Sequence, residues 1–264
     1  MMSRSDESLD AFFDGRVTLY QSRTGYRFSL DALLLAHFVT VKTGARIVDL
    51  GTGNGVIPLA LAALHPSIKV TGIELQPRMV ERARRNIGRN ELQTQIKIAH
   101  GDVRSPKQIG GAGDFDVAVC NPPYRKSTSG RLSMNEERQV ARHEIAGGLD
   151  EFLRAGAFFL RANGSMAMVY PAVRSVDLLT AMRHAGLEPK RLRIVHSFRA
   201  AKASLILAEA IKGGRSGVEV LAPLSIYEGG KTYSDEVASM IAGTRARLRH
   251  AQTGDALEDE ERIG

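Results

Sequence analysis

The sequence holds a single cysteine, Cys120, in 264 residues. One thiol excludes an internal disulfide and leaves no cysteine cluster to ligate a metal, so no metal is expected and the reducing cytoplasm is the expected compartment. Long apolar runs are missing too. The strongest, residues 32–39, is interrupted by His37 and falls far short of the roughly 20 residues that span a bilayer. The first ten residues, MMSRSDESLD, lack the apolar core of a secretion signal. What remains is 43% hydrophobic and 25% charged, the composition of a globular chain with a full core. Its length suits one domain with extensions.

Charge is unevenly distributed. The net value is +7, but the last ten residues carry five acids and one base, so residues 1–254 hold 35 bases against 24 acids, a net +11. Such a surface suits a polyanion, nucleic acid above all, although a basic enzyme without that partner has the same composition.

Strand and helix signals alternate along the chain. Seven buried strands are expected, at residues 46–50, 69–75, 96–99, 115–120, 165–170, 191–197 and 204–211. Helices are expected at 56–64, 77–90, 149–161 and 173–184, where apolar residues recur at helical spacing. The last two strands lie too close for a crossover helix and should pair antiparallel. The fold class is therefore α/β: a doubly wound, mostly parallel, seven-stranded sheet with an antiparallel closing strand. Residues 1–44 read as an extension packing on the ligand site. It comprises a hairpin pairing 17–21 with 26–28 and a helix from Asp31, while residues 1–8 read as disordered. Residues 45–250 form the main domain; the C-terminal addition at 218–250 is a strand-like piece and a helix from Asp235. Residues 251–264 read as an acidic disordered tail.

The turn Asp49-Leu-Gly51-Thr-Gly53-Asn-Gly55 joins the first strand of the sheet to its helix. Glycines there let a ligand approach backbone, and the helix start offers orphan N–H groups. A dinucleotide turn needs G-x-G-x-x-G, but the last position counted from Gly51 is Val56. Asp49 would repel a pyrophosphate and hold an ammonium group. Glu74, ending the second strand, can accept from ribose hydroxyls, or be a solvated strand end. Asp102, after the third, can accept from an adenine amino group, or simply form a turn. Amine, ribose and adenine together describe S-adenosylmethionine. In this order the series resembles the class I S-adenosylmethionine-dependent methyltransferases over about residues 45–212. The resemblance implies a pocket of Asp49, Gly51, Gly53, Gly55, Glu74, Leu75, Asp102, Val103 and Asn121.

The fourth strand stops at Asn121-Pro122-Pro123-Tyr124. A conjugated amine is a poor nucleophile because its lone pair is delocalised. Two acceptors aimed at its hydrogens, the Asn121 side-chain oxygen and the Pro122 carbonyl, can turn that nitrogen toward a methyl group. The prolines pre-set extended geometry, and Tyr124 offers a flat stacking face. Asn121, Pro122 and Tyr124 are thus the candidate catalytic residues. The stretch resembles motif IV of the amino-methyltransferases, which modify adenine N6, cytosine N4 or glutamine N5. Cys120 reads as a small buried residue and not a nucleophile.

"YQSRTGYRFSLDALLLAHF" at 20–38, the clip with Arg125, and "ARHE" at 141–144 resemble the bacterial tRNA(Val) adenine-N6 methyltransferase family, which modifies adenine 37 beside the anticodon. That likeness runs over about residues 21–233. It implies that Arg27, Phe28 and Asp31 lie over the cofactor; a hairpin and a helix cap would explain the same residues. The sequence departs from the best-known members, which tend to carry Lys-Val-Gly-Thr-Asp where Arg27-Phe-Ser-Leu-Asp31 stands. Two basic groups suit structured RNA, tRNA first: Arg125, Lys126, Arg131, Arg138 and Arg142, then Lys190, Arg191, Arg193, Arg199 and Lys202. Solvated loops would also account for them. Arg142-His143-Glu144 either line the pocket or brace their loop. A separate target-recognition domain has no room here. The alternatives are a protein glutamine-N5 methyltransferase and an RNA-binding protein on the same fold without turnover.

Overall fold

A computed structural model of the chain describes residues 6–23, 30–122 and 148–244. At the N-terminus, Phe13, Asp14 and Gly15 all have positive φ and fold β1 (Glu7–Phe12) onto β2 (Val17–Ser22) as an antiparallel hairpin. This corrects two expectations. Glu7 and Ser8 are strand residues, not disordered, and the partner of Val17–Ser22 precedes it in the chain; residues 26–28 lie outside the described residues. An Asp-Gly turn set this pairing, and the polar look of Glu-Ser-Leu-Asp-Ala-Phe concealed it.

α1 (Leu30–Phe38) is buried nearly all round, with Ala32, Leu33, Leu34, Leu35, Ala36 and Phe38 inside. β3 (Arg46–Leu50), α2 (Val56–Leu64), β4 (Lys69–Glu74), α3 (Pro77–Arg89) and β5 (Ile96–His100) follow as strand, helix, strand, helix, strand. The short α4 (Pro106–Ile109) leads to β6 (Phe115–Cys120), which stops where the prolines begin. α5 (Leu149–Phe159), β7 (Leu160–Pro171) and α6 (Ser175–His184) precede β8 (Leu187–Phe198) and β9 (Ala203–Lys212). Three short strands, β10 (Glu219–Val220), β11 (Leu224–Gly229) and β12 (Thr232–Tyr233), and α7 (Asp235–Ile241) end the described chain.

The sheet runs β12-β11-β8-β9-β7-β6-β3-β4-β5, with β10 beside β8. β3 to β7 pair in parallel, and β9 is antiparallel to both of its neighbours, as the short β8–β9 connection requires. The doubly wound sheet is thus present and grows to ten strands rather than seven. The strand-like piece and the helix from Asp235 expected within 218–250 are present as β11 and α7, whereas β10 and β12, two exposed residues each, are too short to show a period.

Alternation along β3 divides the core. Ile47 joins one apolar cluster with α1, α2 and α3, whereas Val48 and Leu50 join another with α5 and α6. Each large apolar side chain fully buried in these layers contributes about 1.5–3 kcal/mol. Asp49 shares the Ile47 side by this two-residue period, so a carboxylate stands in an apolar layer at the carboxyl end of a central strand. Such ends, at the reversal of strand order, are where ligands enter open α/β sheets.

Candidate active site

The β3–α2 turn takes its shape from glycine. Gly51 has φ +74° with its Hα side 3.2 Å from the Phe152 ring, measured to where a Cβ would stand, and Gly55 caps α2 in the left-handed region at φ +85°. The N–H groups of Gly51 and Thr52 both donate to the carbonyl of Ile73 at 2.9 Å, tying the turn to β4. That of Gly53 donates to Glu74 Oε2 at 2.9 Å. The turn therefore consumes most of its own backbone donors and presents side chains instead.

Those side chains are unusual. Asp49 is fully buried, and neither carboxylate oxygen has a hydrogen-bond partner; Thr52 Oγ1 and both polar atoms of the Asn54 side chain are likewise buried and unpartnered. Buried polar atoms are nearly always satisfied in folded proteins, so five orphans in one turn mark a place built for a polar ligand. Burial raises the Asp49 carboxyl to about 7, and the nearby Glu74 charge adds to the rise. The Thr52 hydroxyl is near enough to donate toward the carboxylate and oppose the shift, though short of full hydrogen-bond geometry. An ammonium beside Asp49 would restore its charge, and hydroxyl or carboxylate groups would satisfy Thr52 and Asn54. These residues fit the amino-acid end of S-adenosylmethionine. Thr52 and Asn54 were not singled out from the sequence, although polar residues between turn glycines were the available signal.

Glu74 is buried at the end of β4 and accepts from the N–H groups of Gln76 at 2.8 Å and Gly53. Burial raises its pKa against those bonds. The position suits acceptance from vicinal hydroxyls, with half-buried Leu75 beside it. Asp102, after β5, is engaged by Arg104, which donates from Nε to Oδ1 and Oδ2 and from Nη2 to Oδ2 at 2.6–3.0 Å. This pairing lowers the Asp102 pKa. An adenine amino group would share that carboxylate or displace a half-exposed arginine, a small cost for a surface ion pair. Val103 is buried in the apolar cluster that also holds Ile73 and Leu50. Asp31 lies in the first turn of α1; Arg27 and Phe28 lie outside the described residues.

Leu50 pairs with Cys120 across β3 and β6, so Gly51 and Asn121 leave adjacent parallel strands at the same level. Asn121 is half-buried and Pro122 buried. The structure thus brings Asn121 and Pro122, the glycine turn and the orphan carboxylate to the same end of adjacent strands. Cys120 is fully buried and its thiol pKa is raised by desolvation and by Asp49, as an inert residue requires. Tyr124 lies outside the described residues, as do Arg125, Lys126, Arg131, Arg138, Arg142, His143 and Glu144.

The second basic group is corrected in part. Arg193 is 5% exposed and forks onto Glu236, donating from both terminal nitrogens at 2.6 and 2.8 Å, with Nε on the Ala222 carbonyl at 3.0 Å. Arg191 pairs with Glu209 at 2.8 Å and lies over the Phe38 ring. Both fasten β8 to the rest of the molecule and are not offered to a partner. Lys190 donates to the Arg215 carbonyl. Arg199 and Lys202 remain exposed. Two hollows among the described residues lie elsewhere: one of about 270 Å³ between α1 and Arg193, and one of about 440 Å³ between α3 and His100.

A parallel sheet that meets an acid, a glycine turn and a proline-stiffened amide at one edge has the construction of the S-adenosylmethionine-dependent methyltransferases. Solved structures agree on the fold. A predicted O-methyltransferase from Agrobacterium tumefaciens matches 82% of this chain and 97% of its own, with a TM-score of 0.68 at 24% identity. Pyrococcus horikoshii TYW2 in complex with MeSAdo matches 81% and 74%, with a TM-score of 0.55 at 12% identity. The chain belongs to the methyltransferase small domain family, whose pattern it matches over residues 29–183. Among curated relatives, the tRNA1(Val) (adenine(37)-N6)-methyltransferase of Porphyromonas gingivalis is 31% identical over 206 residues, 76% of this chain and 80% of its own. The protein of that name from Bacteroides fragilis is 28% identical over 221 residues, covering 83% and 90%.

Proposed function

We propose that this chain transfers a methyl group from S-adenosylmethionine to the N6 amino group of an adenine in tRNA, with position 37 of tRNA1(Val), the site its curated relatives are named for, as the first candidate. The observation that supports the reading is the register of β3 and β6, which end level at Leu50 and Cys120, so that Asn121 and the glycine turn leave the sheet together just past the buried Asp49. The cofactor supplies an electrophilic methyl group.

The chain's own residues do the rest. Asp49 holds the donor's ammonium, with Thr52 and Asn54 beside it, and Glu74 the ribose. Gly51, Gly53 and Gly55 keep the turn low enough for the donor to pass, while Leu75, Val103 and Asp102 enclose the adenine; the family likeness adds Arg27, Phe28 and Asp31 as cofactor contacts. Asn121 and Pro122 accept the two hydrogens of the target amine, which turns its nitrogen toward the methyl group and favours pyramidal geometry. Alignment of this kind accounts for several kcal/mol of a barrier. Tyr124 stacks on the base. An anticodon loop presents splayed bases without the cost of opening a duplex. No helix among the described residues is long and apolar enough to cross a membrane. A tRNA substrate would be met in the cytoplasm, the compartment this reading assigns.

The test is S-adenosylmethionine carrying a labelled methyl group, offered with the purified protein to total RNA, DNA and protein fractions. Label in RNA supports the reading. Label confined to protein favours glutamine N5, and cofactor binding with no label anywhere favours a binding protein.

A further inference from the structure

Three aromatic side chains form a ladder on the far side of the sheet from β4. Phe198 ends β8 and faces Tyr227 of β11 across the strand pair, and Tyr227 faces Tyr233 of β12. Ring centroids are 5.5 Å apart in the first pair and 5.2 Å in the second, with interplanar angles of 37° and 18°. Phe198 is 39% exposed and Tyr233 40%, so the two ends of the ladder are open to solvent. Aromatic rings of this size are usually spent on burial, and leaving two of them exposed in line is uneconomical unless something covers them.

The direction of the strands says where the ladder stands. β9 opposes both β7 and β8, so β8 runs with β7 and β6, and β11 runs parallel to β8. Phe198 and Tyr227 therefore project from the same end of the sheet as Asn121. Three strand spacings sideways and several residues upward separate Asn121 from Phe198, about 20 Å in all. That is too far to touch the reacting base and the right reach for nucleotides that flank it.

Charge identifies the occupant. Arg199 and Lys202, in the β8–β9 turn beside Phe198, and Lys231, between β11 and β12, are exposed, and no carboxylate pairs with them among the described residues. The acids in the same stretch are Glu228, Asp235 and Glu236, the last of them paired with Arg193. Rings that stack on bases, flanked by cations that meet phosphates, are the two parts of a single-strand nucleic-acid platform. Nothing about a protein ligand demands both.

We propose that Phe198, Tyr227 and Tyr233 form a stacking platform for unpaired bases of the substrate RNA next to the methylated one, with Arg199, Lys202 and Lys231 on its phosphates. This rests on the RNA reading above and adds to it the surface that grips the loop.

The probe is an unmodified synthetic anticodon stem-loop of tRNA1(Val). Its affinity and its methylation are measured for wild type, Tyr227→Ala/Tyr233→Ala, Phe198→Ala and the conservative Tyr227→Phe/Tyr233→Phe. The double alanine variant raises the RNA Kd about 5- to 100-fold, since one stacked base is worth that much, and raises KM with little change in kcat. Affinity for S-adenosylhomocysteine stays the same, and the phenylalanine pair stays near wild type. Should the double alanine variant misfold, Phe198→Ala, at an exposed strand end, carries the test with a smaller rise. Wild-type RNA affinity in folded alanine variants overturns the platform and leaves the RNA reading standing. A wild-type protein that neither binds nor methylates the stem-loop overturns both.

Discussion

Asn86 takes both backbone hydrogen bonds of Tyr20, accepting from its N–H at 2.7 Å and donating to its carbonyl at 3.1 Å. Four residues on, Asn90 does the same for Thr18, at 3.0 and 2.6 Å. One face of α3 thus presents two amides to β2 as a neighbouring strand would, and the edge of the N-terminal hairpin is satisfied without a sheet partner. Glu7 adds ion pairs to Arg82 and Arg85. The same Asn86 amide donates to the Asn54 carbonyl at 2.9 Å, inside the glycine turn. The hairpin and the cofactor turn are therefore joined through one fully buried side chain.

Asn86→Ala removes that joint. It leaves backbone groups of Tyr20 and Asn54 without partners, at a cost of about 3 kcal/mol, and Tm falls by roughly 5–10 °C. Hydrogen exchange at Tyr20 speeds up and S-adenosylhomocysteine binds several-fold more weakly. A variant that melts with wild type and binds normally removes the link between hairpin and site.

The orphan carboxylate makes cofactor affinity depend on pH. Asp49 sits at about 7 in the folded protein against 3.8 in the unfolded chain. Between those values the folded state holds the extra proton, so this group's contribution to stability falls as pH rises through the window and is greatest on the acid side. An ammonium ligand needs the ionised form, so binding releases a proton below about pH 7. S-adenosylhomocysteine affinity should rise close to tenfold per pH unit from 5 to 6.5 and level off above about 7. Asp49→Asn flattens that profile and weakens binding, yet raises the Tm of the free protein at pH 8 by a few degrees, because a buried charge has been removed. Calorimetric titration across pH reads the first effect and thermal melting the second. Unchanged affinity in Asp49→Asn contradicts the placement of the amine.

Arg193 is a fastening and not an RNA contact. Arg193→Ala breaks its fork on Glu236 and lowers stability by roughly 2–3 kcal/mol, less than a fully buried pair because Glu236 is a third exposed. RNA affinity at fixed salt, and the slope of that affinity against salt, stay as in wild type. Arg199→Ala/Lys202→Ala gives the opposite pattern: an unchanged Tm, weaker RNA binding and a slope smaller by about 2.

The parallel core was legible because its strands are short stretches rich in apolar residues and the helices α2, α3 and α5 open at glycine or proline, local signals that need no partner. The clip and the acid of the glycine turn were legible for the same reason. What was missed is non-local. β1 carries exposed Leu9 and three polar residues, and besides its pairing with β2 it is held by Arg82 and Arg85 of α3, some 70 residues later. Arg191 and Arg193 sit in a stretch without nearby acids, and their partners Glu209 and Glu236 arrive from other elements. Ion pairs across 18 and 43 residues leave no trace in a window of ten.

The central claim is that Asn121 and Pro122 grip an exocyclic amine of RNA opposite the methyl donor. Its most direct test is nucleoside analysis of unmodified tRNA1(Val) transcript after reaction with wild type and with Asn121→Ala. Wild type should give N6-methyladenosine at position 37. Asn121→Ala should bind S-adenosylhomocysteine within about twofold of wild type and give a hundredfold less product or none. Methylation elsewhere than an adenine amino group, or undiminished turnover by Asn121→Ala, would contradict the account.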